Sequence, residues 1–501
     1  MAVLGALAIL LVSKVLGAAA LFERPGELTI PAAANVYVAK RVQEGGVVYG
    51  DWRERPHVAA WYGPALYLPP GYIGRWIDAD VHDLFMIGRW ISLLSVVGTA
   101  GLIAWMISVR WAVHPLIAAG MVLAFVTCDE LLQRYDFSFR PDAPACLFTM
   151  LGLALLVRSD RPASLYGSVF VFLLAFLYKQ TAIAGPPAVV AWLWLTGRQR
   201  QAGSYAGLTA ALFIGTVVLL GLVTSGRYYL NTVDALKGNV ALVNVPFMLF
   251  KAAETAVLPL ALTAFVVAVQ WSRREWRLET ILFASSLVLA AVGTYRDGSG
   301  LYYYMLPVAV GCVLCGRQLG QWWQERSRVP VAATALTISL ALAAVRYVPQ
   351  ATFRLVELPQ RWRAFEQCDQ QHRLRADFYR QLAEYLNSLD GPVLCQFNTM
   401  GLYCPRSIMI DTFTFTTMAD VKVFDDRPLI AQIRQGQVAA IVFNPKVTPQ
   451  YQSTDMFSRR WIEAMKGRYR QINIPRLSAA RVYLPISRTG TGTTDLLGAP
   501  G

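Results

Sequence analysis

Ser204–Thr224 reads SYAGLTAALFIGTVVLLGLVT, 21 residues without one charged side chain. A helix rises about 1.5 Å per residue, so this run covers the roughly 30 Å hydrocarbon core of a bilayer. It has no polar stripe of the kind a helix on a soluble protein turns to water. Similar runs recur near 2–22, 85–108, 112–130, 143–157, 163–178, 181–196, 251–271, 278–294, 300–316 and 329–347. Together these make eleven predicted spans. Two of them, 143–157 and 181–196, are short for the core and fit a tilted or re-entrant path lined by protein.

Composition points the same way. Of 501 residues, 55% are hydrophobic and only 16% charged, where a soluble chain has about 25% charged. That deficit excludes a string of soluble domains, and the abundance of Trp, Tyr and Phe excludes disorder. The net charge of +14 raises the question of nucleic acid. The cations, however, stand at the ends of apolar runs: Arg158 and Arg161, Arg198 and Arg200, Arg273, Arg274 and Arg277, Arg317, Arg326 and Arg328. Such placement is the positive-inside pattern, and no nucleic-acid partner is expected.

Threading follows from those charges. With the N-terminus in the cytoplasm, the inner loops and Arg110 hold eleven basic residues and the short outer loops hold six. The run 2–22 has the small residues Ala18, Ala19 and Ala20, but no basic leader, and Lys14 interrupts it. It reads as an uncleaved first helix rather than a signal peptide. An odd number of spans puts 23–84 and everything after 348 on the far side. The protein is thus expected in the plasma (inner) membrane, multi-pass, among membrane lipids. The transmembrane domain covers 1–348, with a large first outer loop at 23–84.

That loop is rich in Trp, Tyr and Pro, with a helical stretch at 33–43, and suits the membrane surface. Residues 240–250 form an apolar stretch too short to span. From 349 to 486 the character changes. A helical stretch at 375–389 leads into short β-branched runs at 393–397, 407–410 and 439–443. A second helix at 456–468 precedes runs at 469–472 and 481–484. This alternation predicts a small extracytoplasmic α/β domain. The tail 487–501, rich in Gly and Thr, is expected to be disordered. The fold class is therefore mainly α: a polytopic helix bundle of about eleven spans with a small C-terminal α/β domain.

Cys312 and Cys315 lie inside an apolar run and read as packing residues. Cys395 and Cys404 either pair or stay free, according to the compartment. The four histidines show no ligand spacing, so no metal and no cofactor is assigned. Asp78-Ala79-Asp80 reads as a solvated loop, and Arg89 as an interfacial anchor.

Charges at membrane depth are costly, which makes each a candidate for function. Several flank the outer ends of spans: Asp136, Arg140 and Asp142; Lys179 and Gln180; Arg296 and Asp297, followed by Tyr302, Tyr303 and Tyr304. Arg and Lys there would hold phosphate oxygens, and a carboxylate would take the proton of an acceptor hydroxyl. Plainer readings stand beside these. Arg140 and Asp142 would serve as a snorkelling pair at a helix start, Lys179 as an anchor, and the tyrosines as an aromatic belt.

Arg140-Pro141-Asp142-Ala143, Tyr178-Lys179-Gln180-Thr181-Ala182 and Gly298-Ser299 followed by Tyr302-Tyr303-Tyr304 resemble text of the polytopic GT-C glycosyltransferases. Gly45–Asp51, Trp61–Tyr67 and Gly226–Val233 resemble further segments of the bacterial PMT-like, RgtA-type branch. The resemblance covers about 25–350. It implies a polyprenyl-phosphate-linked sugar as donor, a glycan, lipid or protein acceptor in the same cavity, and inverting transfer on the outer face. It also implies a carboxylate base in the first outer loop. The family's Asp-Glu falls on Pro31–Ala34, which hold no acid, so Glu27 and Asp51 are the candidates, with Asp142 next. Arg140, Lys179 and Arg296 are assigned to the donor phosphate, and Gln180, Asp297 and Tyr303 to substrate. A transporter or flippase for lipid-linked saccharides, or a non-catalytic scaffold, is the alternative. A transporter would carry internal repeats, and none is seen.

Overall fold

The computed structural model describes residues 2–29, 31–128, 137–159, 161–237, 244–272, 274–295, 299–325, 330–443, 457–474 and 480–488. The tail beyond 488 lies outside them. Each predicted run falls on a helix. In chain order these are Ala2–Phe22, Val81–Ala104 with a π-helical end at Trp105–Arg110, Pro115–Val126, Asp142–Arg158, Pro162–Tyr178 and Gly185–Leu195. Gln199–Val223, Val257–Ser272, Leu278–Gly293, Met305–Glu325 and Pro330–Glu366 complete the set. Among the described residues, Ala2–Phe22, Val81–Arg110 and Gln199–Val223 are long and apolar enough to cross a membrane by length and composition.

Met305–Glu325 is the helix at the centre. Every residue from Pro307 to Gly316 is buried, as expected of a helix apolar on all sides. Cys312 and Cys315 pack there. A Cβ on Gly316 would sit 2.3 Å from Ile107 Cδ1, and one on Gly320 2.4 Å from Val113 Cγ2. These small residues let neighbouring helices approach closely. Lys14 Nζ donates to the Val126 carbonyl oxygen at 2.6 Å, so the cation of the first helix caps the end of another.

Three sequence readings need correction and a fourth gains detail. Arg89 is 1% exposed and is no interfacial anchor. It donates to the carbonyl oxygens of Phe22, Arg24 and Gly26 and so shapes the chain leaving the first helix. Asp78 and Asp80 are exposed in the turn between two helices, as expected of a solvated loop, and both also serve as caps: Asp78 ends helix Leu68–Ile77 at φ 51°, and Asp80 opens Val81–Ala104 in a capping box with Asp83. Position 348 is no boundary, because Pro330–Glu366 runs straight through it along the first helix. Residues 407–410 make isolated bridges, to His57 and Val393, rather than a strand.

The C-terminal region carries a four-stranded sheet: β1 (Val393–Cys395), β2 (Ala440–Phe443), β3 (Tyr469–Ile472) and β4 (Arg481–Pro485). Its order is β1-β2-β4-β3, with β1 and β2 parallel and the other pairs antiparallel. Alternate residues point to opposite faces. Leu394, Ile441 and Phe443 pack with Phe415 and Trp461. Val393, Cys395 and Val442 pack with Tyr379, Leu382 and Leu386 of helix Cys368–Ser388. Cys395 and Cys404 are both buried and free.

This region shares its core with the first outer loop. Trp52 and Ala59 pack among Phe415, Met418 and Phe424. The backbone of His57 donates to Ile408 and accepts from Ile410 at 2.9 and 3.0 Å. The loop and the sheet domain thus share one hydrophobic core.

Candidate active site

Two elements and the turn before them present the charged cluster. Phe137–Arg140 lies across helix Val81–Ala104, where a Cβ on Gly88 would be 2.2 Å from the Phe139 ring. Ser92 Oγ donates to Ser138 O at 2.6 Å, and Asn35 Nδ2 donates to Phe139 O at 2.8 Å. This fixes Arg140 at the mouth of helix Asp142–Arg158, whose first residue is Asp142. A carboxylate there also meets the positive end of the helix dipole. Lys179 stands just past helix Pro162–Tyr178, in extended conformation.

Asp142 accepts from both cations. Arg140 Nε is 2.9 Å from Oδ2, and Lys179 Nζ is 2.6 Å from Oδ1. The three residues are 4, 5 and 8% exposed (Arg140, Asp142 and Lys179). Buried charges need partners this close to remain charged. The aromatic turn Leu301–Tyr304 closes the cluster. Arg140 lies 4.1 Å from the Tyr302 ring centre and Lys179 lies 3.8 Å from that of Tyr303, within cation–π range. The ring of Tyr303 fits because residue 293 is glycine; a Cβ would meet it at 2.5 Å. One carboxylate between two cations leaves a net positive charge in a desolvated place.

A cavity of about 270 Å³ opens onto this cluster. Trp61, Tyr62, Lys179, Gln180, Tyr302 and Tyr303 line it from the helix and loop side. Phe413, Thr414, Thr417 and Met418 line it from helix Thr412–Asp420 of the sheet domain. Gln180 Nε2 donates to Trp61 O at 3.1 Å and ties the outer loop to the cluster. A smaller cavity runs beneath, past Asp142, Cys146 and Thr149.

The structure therefore brings together Arg140, Asp142, Lys179, Gln180 and Tyr303. Asp136, Arg296 and Asp297 lie outside the described residues. Asp51 is turned to Arg53, which donates to both its oxygens at 2.9 and 2.7 Å and holds the carboxyl below its ordinary range. Glu27 meets the sheet domain instead. Its backbone N–H donates to Thr399 Oγ1 at 3.0 Å, and its Oε2 is buried without a hydrogen-bond partner. Burial, then the charge of Asp411, push its carboxyl well up, against the pull of Arg375 and Asn398. Asp411 is itself raised to about 6 by burial, although Thr414 donates to it from both N–H and hydroxyl.

Sequence reasoning missed the wall made by Phe413–Met418 and the Asp411 beside Glu27. The one local signal was Asp411-Thr412-Phe413-Thr414, a cap pattern opening a helix.

The whole architecture matches solved structures. ArnT from Cupriavidus metallidurans, bound to undecaprenyl phosphate, aligns over 95% of this chain and 97% of its own at TM-score 0.57 and 13% identity. Its apo form aligns over 99% and 98% at TM-score 0.56 and 13% identity. The chain has the GT-C fold. The Archaeoglobus fulgidus oligosaccharyltransferase aligns over 93% of this chain and 73% of its own at TM-score 0.50 and 10% identity. By sequence, no family model and no curated protein matches the chain. The GT-C fold is thus carried by a sequence far from these two proteins.

Proposed function

We propose that this chain is an integral-membrane glycosyltransferase. It moves a sugar from a polyprenyl-phosphate donor to a glycan, lipid or protein acceptor at the outer face of the plasma membrane. The observation that carries the reading is the buried Arg140–Asp142–Lys179 cluster opening on the cavity under Tyr302 and Tyr303. Lys179 lines the cavity and Arg140 stands behind it across Asp142; such a positive cluster, within the GT-C fold, suits a phosphate. The undecaprenyl phosphate bound to ArnT has the same chemistry.

In this mechanism the donor phosphate draws Arg140 and Lys179 onto its oxygens and loosens their hold on Asp142. An acceptor hydroxyl attacks the anomeric carbon from the face opposite the phosphate. The bond from that carbon to the phosphate oxygen breaks, the polyprenyl phosphate departs with the electron pair, and the hydroxyl proton goes to Asp142. Of the three candidate bases, Asp142 lines a cavity together with Lys179, Tyr302 and Tyr303. Glu27 resists ionisation, and Asp51 is bound by Arg53. The phenol of Tyr62, raised by burial, stays protonated as a donor toward substrate.

The test compares envelope glycans, by mass spectrometry, between cells with and without the gene. It also follows transfer by the purified chain from polyprenyl-phosphate sugars. One glycan is expected to lose a single sugar in the deletion and regain it with the wild-type gene but not with Asp142→Asn. Identical glycans in all strains, together with no transfer in vitro, would overturn the reading. The flippase alternative predicts instead that transport of an intact lipid-linked sugar is lost.

A further inference from the structure

A second cleft lies away from this cavity, where the first helix ends. It measures about 590 Å³ and is lined by Glu23 and Pro25, by Asp80 and His82, and by the outer side of helix Cys368–Ser388, including Asp369, His372 and Glu384. Two of the four histidines of the chain face it. The Nδ1 of His82 is buried there without a hydrogen-bond partner.

At one end of it three ligand types converge. The Cys368 sulfur, an Asp369 carboxylate oxygen and a ring nitrogen of His372 all lie within 4.8 Å of one another. Cys368 and His372 are four apart on one helix, so they share a face. Cys368 is the first residue of that helix, and its thiol points to an Asp369 carboxylate oxygen at 3.7 Å. The His372 ring is already fixed, with Nε2 3.0 Å from the Ala20 carbonyl oxygen. A ring that donates from Nε2 keeps its Nδ1 lone pair for a cation, the arrangement that orients histidine ligands in metal sites. Glu23 lines the same cleft as Asp369 and His372, in place to give a fourth ligand and a second oxygen. The exposed Arg373 and Arg380 also line it, and Arg380 is engaged by Asp377 at 3.4 Å.

We propose that Cys368, Asp369 and His372, completed by Glu23, form a binding site for a divalent cation of borderline softness, with Zn²⁺ the best fit. A mixed sulfur, nitrogen and oxygen set of four is what Zn²⁺ takes. Bond lengths of about 2.0 to 2.3 Å need the ligand atoms to close by about 1 Å from their present spread, a shift that rotamers of the exposed Asp369 and the half-exposed Cys368 absorb. The cation would join the end of the first helix to the helix that carries the sheet domain. Its role is structural, and it is independent of sugar transfer.

The test uses the purified full chain in detergent, stripped with chelator and then loaded with Zn²⁺. Metal content after desalting is expected to be one Zn²⁺ per chain. Cys368→Ser with His372→Ala should weaken binding by more than the roughly 10–100-fold that loss of an outer-shell partner costs, with the elution profile unchanged. Cys368 is the half-exposed cysteine, and the other six are buried. Alkylation of the native wild-type chain therefore reads Cys368 directly, even where the variants fail to fold. Zn²⁺ should slow that alkylation, and Mg²⁺ should not. Wild-type protein that retains no Zn²⁺, equal retention by the double variant, or alkylation unaffected by Zn²⁺ would each overturn the proposal.

Discussion

Replacing Lys179 by methionine tests the phosphate site most directly. Methionine keeps most of the aliphatic length over the Tyr303 ring, now 3.8 Å from the cation, and deletes the charge alone. In the empty protein Asp142 loses its 2.6 Å partner but keeps Arg140 at 2.9 Å. The stability cost should therefore fall below the roughly 3–5 kcal/mol of a buried charge left with no partner. In the complex, truncating one buried charge contact costs about 2–5 kcal/mol, which is roughly 30- to 4000-fold in affinity at 1.4 kcal/mol per decade. The assay is binding of labelled undecaprenyl phosphate to purified protein, with undecaprenol as the uncharged control. Wild type should prefer the phosphate strongly, and Lys179→Met should lose that preference while binding undecaprenol as before. Lys179→Met binding the phosphate within about threefold of wild type, at an unchanged melting temperature, would refute the assignment.

Asp142→Asn should lower the turnover of sugar transfer by about 10²–10⁴-fold while donor binding persists; unchanged turnover moves the base elsewhere. Asp411, raised from 3.8 to about 6, binds more protons folded than unfolded between those values, so stability should fall as pH rises through that window and level off above it. The raised Glu27 acts in the same direction, and Asp411→Asn should remove about 3 kcal/mol of the fall in denaturation measured from pH 4 to 7; an unchanged slope would contradict the burial of that carboxyl. Gly63→Ala would place a Cβ 2.0 Å from the Leu177 carbonyl oxygen and should cost at least about 1–3 kcal/mol, read as a lower melting temperature; a neutral substitution would mean that the loop and helix are not packed this closely. A reporter active only in the cytoplasm, fused after Ser487, should be silent; a strong signal would reverse the threading.

The sequence made some of this legible because burying charge is costly and leaves a trace. Arg140, Asp142 and Lys179 stand at the ends of apolar runs, where a charge needs either water or a partner. Reading them as candidates required no tertiary knowledge. Which partner each finds did, since Asp142 opens one helix, Lys179 follows the end of another, and they meet through packing alone. The same limit hid the cavity wall. Phe413–Met418 faces Trp61 and Tyr62 across more than 350 residues of chain, and hydrophobic periodicity reports only on neighbours. Position 348 misled for the opposite reason. Composition turns polar after it, yet Pro330–Glu366 stays helical through Pro349 and Pro359, residues that ordinarily interrupt a helix. A change of surroundings along one helix reads in sequence as a change of domain. Glu27 shows where such reading ends. It stands just after the first helix, but its carboxyl is governed by burial and then by the charge of Asp411, from a domain that begins more than 300 residues later. A charge's position in sequence predicts that it must be compensated; only the fold decides by what, and so whether that charge can act as a base.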